Sequence, residues 1–329
     1  LINSSITPLS QSIANNTHFS LSNVLPFKEK NYQTLFLSGG YSSWRNHNIF
    51  WLKQGFDTYI GRSKIENFYN IDASDNPWGV YDEYLFAYLK KSLLDAEQKG
   101  TPLFGFALTT NNHPPVRLPA SYVAPQLDTT AYGFDRDNQE KLSMMQGFHY
   151  QTSQLGKFLD WLKSSELKDK VILVATGDHP MRKFINNSAN TNKYLHFSVP
   201  AYFYVPEAFD KLDEVNPDIS GSHNDLFPTL FELSLSNASY YNFGQPLMEK
   251  TTQTAYGWAD QGAYVFSDGV ADNHNNSFYY WSDEDAMLLD AEPSDIKDNR
   301  SNTLRQESFR RLLNQYLLVQ DYRQQTKKQ

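Results

Sequence analysis

The sequence of 329 residues contains no cysteine. This absence excludes disulfide frameworks, thiolate zinc sites and cysteine nucleophiles. It suits an oxidising compartment, where a stray thiol is a liability, although a cytosolic chain can also lack cysteine. Any nucleophile or metal ligand in the chain must therefore come from other residue types.

Four further features are missing. No apolar run approaches the ~20 residues that a membrane helix needs, and no signal peptide or initiator methionine precedes the opening "LINSSITPLS". We therefore expect the chain to be a fragment whose start was removed. A basic excess is also missing: the formal net charge of −8 argues against a nucleic-acid partner.

Apolar residues make up 40% of the chain and aromatic residues 15%, so a sizeable core is available. From about residue 30 to 235, short β-rich runs alternate with amphipathic segments. The pattern predicts strands over 33–38, 103–109, 171–177 and 200–205, and helices over 82–98 and 137–165. Such alternation indicates an α/β fold of three layers, with a mostly parallel central sheet between helices.

The pattern changes after about residue 240. Aromatic residues alternate and are broken by Asp-Gly and Asn-Asn turns over residues 254–290, which predicts antiparallel strands. Residues 303–325 read as one amphipathic helix. We therefore predict an α/β domain over residues 1–240 and a small α+β subdomain over residues 241–329, packed on it.

Three predicted strands end in polar residues: "SGGYSSWRN" (38–46), "TTNNHPP" (109–115) and "TGDHPM" (176–181). The carboxyl ends of parallel strands lie along one edge of a sheet, where ligands of open α/β sheets bind. We therefore expect Trp44 or Arg45, His113, Asp178 and His179 to line one cleft. Asp and His donors suit a divalent metal, but Asp178 and His179 also fit an ordinary turn after a strand.

Five segments resemble, in order and rough spacing, the sulfatase-like phosphoglycerol transferases. This family includes lipoteichoic acid synthase and lies within the alkaline phosphatase superfamily. The segments are "FLSGGYSSWRNHNIFWLKQGFDTYIG", "WGVYDEYLF", "PLFGFALTTNNHPP", "KVILVATGDHPM" and "SHNDLFPTLFELS". The resemblance covers roughly residues 5–240 and implies an alkaline phosphatase/sulfatase-like catalytic domain.

The resemblance also implies a site. Asp178 and His179 match the Asp-His pair that binds one divalent cation, usually Mn²⁺, with Mg²⁺ or Zn²⁺ as alternatives. His113 matches a histidine that binds the phosphate or glycerol of the substrate. Trp44 and, with a one-residue shift, Arg45 match residues that line the same pocket.

The implied reaction is transfer of phosphoglycerol from a phospholipid donor such as phosphatidylglycerol, through a covalent phospho-threonine, to a glycan or lipid acceptor. The implied location is the extracytoplasmic (periplasmic) face of a bacterial inner membrane, with N-terminal helices as the membrane anchor.

This sequence departs from the family where the nucleophilic threonine and a metal-binding glutamate are expected. In the family both lie upstream of the region that matches "LINSSITPLSQS". We therefore expect no catalytic nucleophile in this chain and an inactive fragment as it stands. Two alternatives remain open: a sulfatase or phosphodiesterase hydrolase, and a non-catalytic binding domain of the same fold.

Four other residues are weaker candidates. His196 and His223 precede predicted elements that could face the site, as an additional downstream histidine does in phosphoethanolamine-transferase relatives. Trp78 and Asp82 belong to the family-like "WGVYDEYLF" segment, and either a pocket role or simple helix entry explains them.

Overall fold

The computed structural model describes residues 7–128, 130, 138–180, 198–207, 219–248, 256–259, 262–272, 275–282, 289, 292–296 and 298–327. The chain divides into two compact units. The first comprises Leu1–Glu166 and Leu317–Gln329, and the second comprises Leu167–Tyr316. The separate prediction of a domain over 1–240 and a subdomain over 241–329 stays a prediction.

In its described residues up to Glu166, the first unit contains three strands and five α-helices. The strands are β1 (Gln33–Ser38), β2 (Thr58–Ile60) and β3 (Leu103–Leu108). The helices are α1 (Leu25–Glu29), α2 (His47–Lys53), α3 (Arg62–Tyr69), α4 (Asp82–Lys99) and α5 (Gln139–Ser164). Short 3-10 turns lie at Leu9–Gln11 and Trp44–Asn46. The strands predicted over 33–38 and 103–109 and the helices predicted over 82–98 and 137–165 are confirmed.

The three strands form a parallel sheet in the order β2-β1-β3. The central strand β1 is buried along its length after Gln33, as expected for a parallel strand covered on both faces. Phe36 lies opposite Tyr59 on one side and Phe106 on the other. Because all three strands run the same way, their carboxyl ends meet at one edge of the sheet.

The two faces of this sheet carry different side chains, because successive residues of a strand point to opposite faces. Leu35 and Leu37 pack with Ile65 of α3 and Leu85 of α4. On the other face, the Phe36 ring lies 4.9 Å from the Trp51 ring of α2. Helices therefore cover both faces of the sheet, and the predicted three-layer α/β arrangement is confirmed for this unit.

The two long helices of this unit begin and end at recognisable signals. Helix α4 has two acidic residues in its first turn, where they interact favourably with the helix dipole. It is followed by Gly100, whose φ of 63° gives the left-handed cap that favours glycine. Helix α5 is capped by Asn138, whose side chain accepts a hydrogen bond from the Lys141 amide at 3.1 Å.

The second unit begins with β4 (Leu173–Thr176), β5 (Ala201–Tyr204) and α6 (His223–Ser234). It continues with β6 (Tyr256–Ala259), β7 (Ala263–Phe266), β8 (Gly269–Asp272), β9 (Ser277–Tyr280) and β10 (Ser294–Asp295). Helix α7 (Asp298–Thr326) belongs to this unit up to Tyr316 and to the first unit from Leu317 onward. None of the helices in the described ranges combines the length and the apolar composition that crossing a bilayer requires.

The last five strands form an antiparallel sheet in the order β10-β9-β8-β7-β6. Tyr264, Phe266 and Phe278 are buried at its core together with Leu304 of α7. The antiparallel strands predicted over 254–290 and the helix predicted over 303–325 are confirmed, and with them the α/β class of the whole chain.

One part of the predicted sheet is wrong. Residues 171–177 and 200–205 do contain strands, but β4 and β5 pair with each other in antiparallel order, with Leu173 opposite Tyr204. Residues 171–175 are also only half-buried, although all five are apolar. A short apolar run has the same pattern in parallel and antiparallel sheets, so the pattern does not reveal the direction of its partner.

Candidate functional site

The loop after β1 carries Trp44 and Arg45 in a 3-10 turn. Arg45 and Asn46 both have left-handed backbone conformations, with φ of 49° and 58°. The Arg45 guanidinium carbon lies 4.6 Å from the centre of the Trp44 ring, which is 48% exposed. The turn therefore presents a cation stacked on an aromatic face to solvent.

His47 supports this pair, and sequence reasoning missed it. Its ring meets the Trp44 ring edge-on, with 4.8 Å between centroids. Burial, assisted by the nearby Arg45 charge, lowers the pKa of His47 to about 4. His47 is thus neutral at pH 7 and packs against Trp44 as an aromatic ring. Nothing in the string "WRNHN" distinguishes this role from a surface histidine.

The loop after β3 carries His113, whose side chain is exposed. Its Nδ1 lies 2.8 Å from the Pro114 carbonyl oxygen. Because a carbonyl only accepts, this bond assigns the proton to Nδ1 and leaves Nε2 free to contact a ligand. The ring packs against Trp78, with 3.7 Å between centroids.

Asp82 lies at the first turn of α4 and is fully buried, so it does not face a cleft. Its carboxylate accepts hydrogen bonds from the amides of Thr110 at 3.0 Å and Asn111 at 3.4 Å, and from the Gln151 side chain. Burial nevertheless raises the pKa of Asp82 to about 7, against the effect of these hydrogen bonds. Asp82 therefore stabilises the backbone of the loop that carries His113.

Asp178 and His179 follow β4 directly. The His179 amide donates to Asp178 Oδ1 at 3.0 Å, and His179 Nδ1 lies 2.8 Å from the Pro180 carbonyl oxygen. That carbonyl assigns the proton to Nδ1 and leaves Nε2 as an electron-pair donor. His179 Nε2 and Asp178 Oδ2 are 3.8 Å apart, with exposed fractions of 49% and 82% for the two side chains.

These two atoms fit a shared cation. Metal bonds to such ligands are about 2 Å long, so two ligands of one ion lie within about 4 Å of each other. Exposed positions also leave room for further ligands. Among the residues that the structure describes, no group of three or more metal-binding side chains is formed.

His223 lies beside the same turn. It is the first residue of α6, and its Nε2 is 2.8 Å from the Gly177 carbonyl oxygen. Ser222 and Asp225 form a capping box that fixes the start of this helix. His223 therefore contacts Gly177, the residue that directly precedes Asp178 in the sequence. His196 lies outside the described residues.

The five predicted site residues fall into two groups. Trp44, Arg45 and His113 belong to the first compact unit, and Asp178 and His179 belong to the second. Trp44 and Arg45 lie in the loop after β1, and His113 lies in the loop after β3. Asp178 and His179 lie in the loop after β4. Convergence of the two groups in one cleft stays a prediction.

Comparison with known proteins gives a consistent result. A family model described as Sulfatase matches residues 3–235. The chain is similar to a protein in the alkaline phosphatase superfamily from Vibrio parahaemolyticus, with a TM-score of 0.70 and 20% identity over 95% of this chain and 72% of that one. It is also similar to the lipoteichoic acid synthase LtaP from Listeria monocytogenes, with a TM-score of 0.69 and 17% identity over 92% and 74% of the two chains. At these identities the likeness shows a shared fold, and function has to be argued from the site.

Proposed function

The chain belongs to the sulfatase family, and from this premise we propose that it is part of a metal-dependent transferase that acts on the phospho-headgroup of a membrane phospholipid. The proposed donor is a lipid such as phosphatidylglycerol, and the proposed acceptor is a glycan or a lipid. The proposed location is the extracytoplasmic face of a bacterial inner membrane. One solved structure of similar fold is named a lipoteichoic acid synthase, which agrees with this class of reaction.

The observation that carries the proposal is the Asp178–His179 pair after β4. The exposed carboxylate of Asp178 and the imidazole nitrogen Nε2 of His179 lie 3.8 Å apart, close enough for both to bind one cation. Both are donors that suit Mn²⁺, Mg²⁺ or Zn²⁺. Asp178 and His179 would hold this cation, which when bound supplies positive charge that stabilises the anionic oxygens on phosphorus.

The second group of residues would bind the headgroup. Arg45 offers a guanidinium whose fork of N–H donors matches phosphate oxygens. The exposed Trp44 ring offers an apolar face for the carbon atoms of the headgroup. His113 Nε2, left free by the Pro114 hydrogen bond, can accept a hydrogen bond from a glycerol hydroxyl.

In the proposed reaction a threonine that lies outside these 329 residues attacks the donor phosphorus. The bond from phosphorus to the diacylglycerol oxygen breaks, and diacylglycerol leaves with a proton. The acceptor hydroxyl then attacks the phospho-threonine and frees the threonine again. Splitting the transfer into two displacements is the general logic of covalent catalysis.

The test uses the complete natural protein with phosphatidylglycerol vesicles and MnCl₂, and measures release of diacylglycerol. We expect Asp178→Ala and His179→Ala each to weaken Mn²⁺ binding and activity by more than about 100-fold, since even outer-shell changes at metal sites cost 10–100-fold. Asp169→Ala is the matched control, because Asp169 is also an exposed aspartate near β4.

Other outcomes contradict the proposal. Full activity of Asp178→Ala would remove the metal role of the pair. Hydrolysis of an aryl sulfate, with phosphatidylglycerol left intact, would identify a sulfatase instead. Binding of the lipid headgroup without turnover would identify a non-catalytic domain of the same fold.

A further inference from the structure

Residues 76–82, "NPWGVYD", comprise the last part of the connection between α3 and α4 and the first residue of α4. They contact both loops of the headgroup-binding half of the proposed site. We refer to these residues as the 76–82 segment. All of its contacts described below lie within the first compact unit.

The segment first contacts the loop after β1. The Val80 amide donates to the Gly39 carbonyl oxygen at 2.9 Å. Gly79 has a φ of 148°, and a Cβ built on it would lie 2.0 Å from the same oxygen. Only glycine allows so close an approach of the two backbones. The base of the loop that carries Trp44 is therefore fixed against this segment.

A buried arginine makes a second link to that loop. Arg62 donates from Nη1 to the Tyr41 hydroxyl at 2.5 Å and to the Asn76 carbonyl oxygen at 3.5 Å. Its guanidinium carbon lies 4.7 Å from the centre of the Tyr41 ring. The start of the 76–82 segment and the loop after β1 thus share one cation.

At its other end the segment holds the loop after β3. Asp82 accepts hydrogen bonds from the Thr110 and Asn111 amides, and its own amide donates to Asn111 Oδ1 at 2.7 Å. Asn111 is itself buried and donates from Nδ2 to the Arg117 carbonyl oxygen at 3.2 Å. This reciprocal set fixes the backbone on both sides of His113.

The segment also touches His113 itself, through the Trp78 ring at 3.7 Å between centroids. Trp78 Nε1 is buried and has no hydrogen-bond partner among the described residues. The indole is therefore held by its backbone and by ring packing, and a phenylalanine in its place would lose no hydrogen bond.

We propose that the 76–82 segment orients His113 towards the donor headgroup, with Trp78 and Asp82 as positioning residues. This inference rests on the proposed function. Trp78 restricts the orientation of the imidazole ring by packing against it, and Asp82 restricts the backbone that carries it. A group that is misplaced by about 1 Å can lose on the order of 10²-fold in rate, so such restraints have a catalytic consequence.

The first arm of the test needs no activity. His113 is one of eight histidines, so ¹⁵N-histidine labelling and a His113→Gln variant assign its ring signals by NMR. Close packing against an indole ring shifts imidazole protons upfield. We expect this shift to vanish in Trp78→Leu, to persist in Trp78→Phe, and to diminish in Asp82→Ala. Trp161→Leu is the matched control, because Trp161 packs on Phe158 and Lys90 instead.

The second arm measures diacylglycerol release from phosphatidylglycerol vesicles by the complete natural protein. We expect Trp78→Leu to lower kcat by on the order of 10²-fold with little change in KM, because orientation matters most in the transition state. Trp78→Phe should recover most of kcat, which a merely structural defect would not predict.

The two arms separate the possible failures. Unchanged His113 signals in Trp78→Leu overturn the positioning role, and so does an unchanged kcat in that variant. A natural protein that leaves phosphatidylglycerol intact overturns the proposed function, while the NMR arm still decides whether Trp78 and Asp82 orient His113.

Discussion

Asp82 and Asp57 belong to the same unit, but their pKa values are shifted in opposite directions. Asp82 is completely buried, and burial raises its pKa to about 7 despite three hydrogen bonds. Burial also acts to raise the pKa of Asp57, but hydrogen bonds from Lys28 and Thr34 outweigh it and the pKa is lowered. Asp57 has the Lys28 ammonium group beside it and is more exposed to solvent than Asp82. These two differences account for the opposite pKa shifts.

These shifts predict opposite effects of pH on stability. Asp82 binds its proton more tightly in the folded chain than in the unfolded chain. Its stabilising contribution to the free energy of unfolding is therefore complete below about pH 4 and is lost as the pH rises from about 4 to 7. The slope is at most about 1.4 kcal/mol per pH unit. Asp82→Asn should flatten the stability profile in that window, as measured by urea unfolding at several pH values.

The control for this experiment is Asp57→Asn. Because the folded pKa of Asp57 is lowered, its contribution is present above its unfolded pKa and is lost as pH falls through the folded pKa. Its removal should change the profile only in acid. Identical slopes between pH 4 and 7 for the wild type and Asp82→Asn would contradict the assignment.

Sequence reasoning singled out several residues of the candidate site, because strand ends can be read from a pattern. Trp44, Arg45, His113, Asp178 and His179 all lie on loops after strands, as predicted. The packing of Trp78 against His113 and of His47 against Trp44 could not be predicted. Both depend on how separate loops approach each other, and no local pattern records that distance.

At the scale of the element, Gly79 and Gly156 are two glycines with opposite requirements. Gly79 lies in the 76–82 segment with a positive φ and a carbonyl oxygen where a Cβ would be. Gly156 lies inside α5 with nothing within 4 Å of its would-be Cβ. The first glycine is required by a close backbone approach, and the second only weakens a helix.

We therefore predict opposite effects of one substitution. Gly79→Ala should lower the free energy of unfolding by about 1–3 kcal/mol or more, because the backbone must shift. Gly156→Ala should raise it by about 0.5–1 kcal/mol. Thermal or urea unfolding measures both. If Gly79→Ala left the free energy of unfolding unchanged, the backbone approach of Gly79 to Gly39 would not be tight.

The start of α6 offers a second test at this scale. Ser222 and Asp225 cap the helix reciprocally, and Asp225 also accepts from the Gln245 amide at 2.7 Å. Ser222→Ala should cost about 1 kcal/mol of stability. Asp225→Ala should cost more, and the double variant less than the sum, because the two residues share hydrogen bonds.

Ser234→Ala, at the last turn of the same helix, is the control for these variants and should change stability little. Strict additivity of Ser222→Ala and Asp225→Ala in a double-mutant cycle would contradict the capping box.

The elements that the sequence predicted well are those with long periodic patterns or clear end signals. Helices α4 and α5 and strands β1 and β3 fall within a few residues of their predicted bounds. The antiparallel pairing of β4 with β5 was not predicted. Four apolar residues identify a strand, but its partner is chosen by parts of the chain far away in sequence.

At the scale of the whole molecule, the first compact unit is built from two separate stretches of the chain. Leu318 of α7 is buried with Ala14, Phe19 and Phe50. Asp321 accepts hydrogen bonds from the Ser20 amide and hydroxyl, each at 2.8 Å. The last part of α7 therefore holds the segment that precedes α1.

This arrangement predicts that Leu318→Ala lowers the stability of the first unit by about 2–5 kcal/mol, the usual range for a truncated buried leucine. Hydrogen exchange should show the loss most strongly in the amides of residues 14–21. Leu312→Ala is the control on the same helix, since Leu312 is 69% exposed, and it should change stability by no more than about 0.5 kcal/mol. Equal effects of the two variants would contradict the packing.

The return of α7 to the first unit also sets an order of events during biosynthesis. A ribosome delivers β1, β2 and β3 early, and domains generally fold from the amino terminus as they emerge. Phe19 and Phe50 nevertheless cannot pack against Leu318 until residues 167–316 have been synthesised. Of the two units, the one that starts earlier along the sequence therefore cannot be completed until the other has been synthesised.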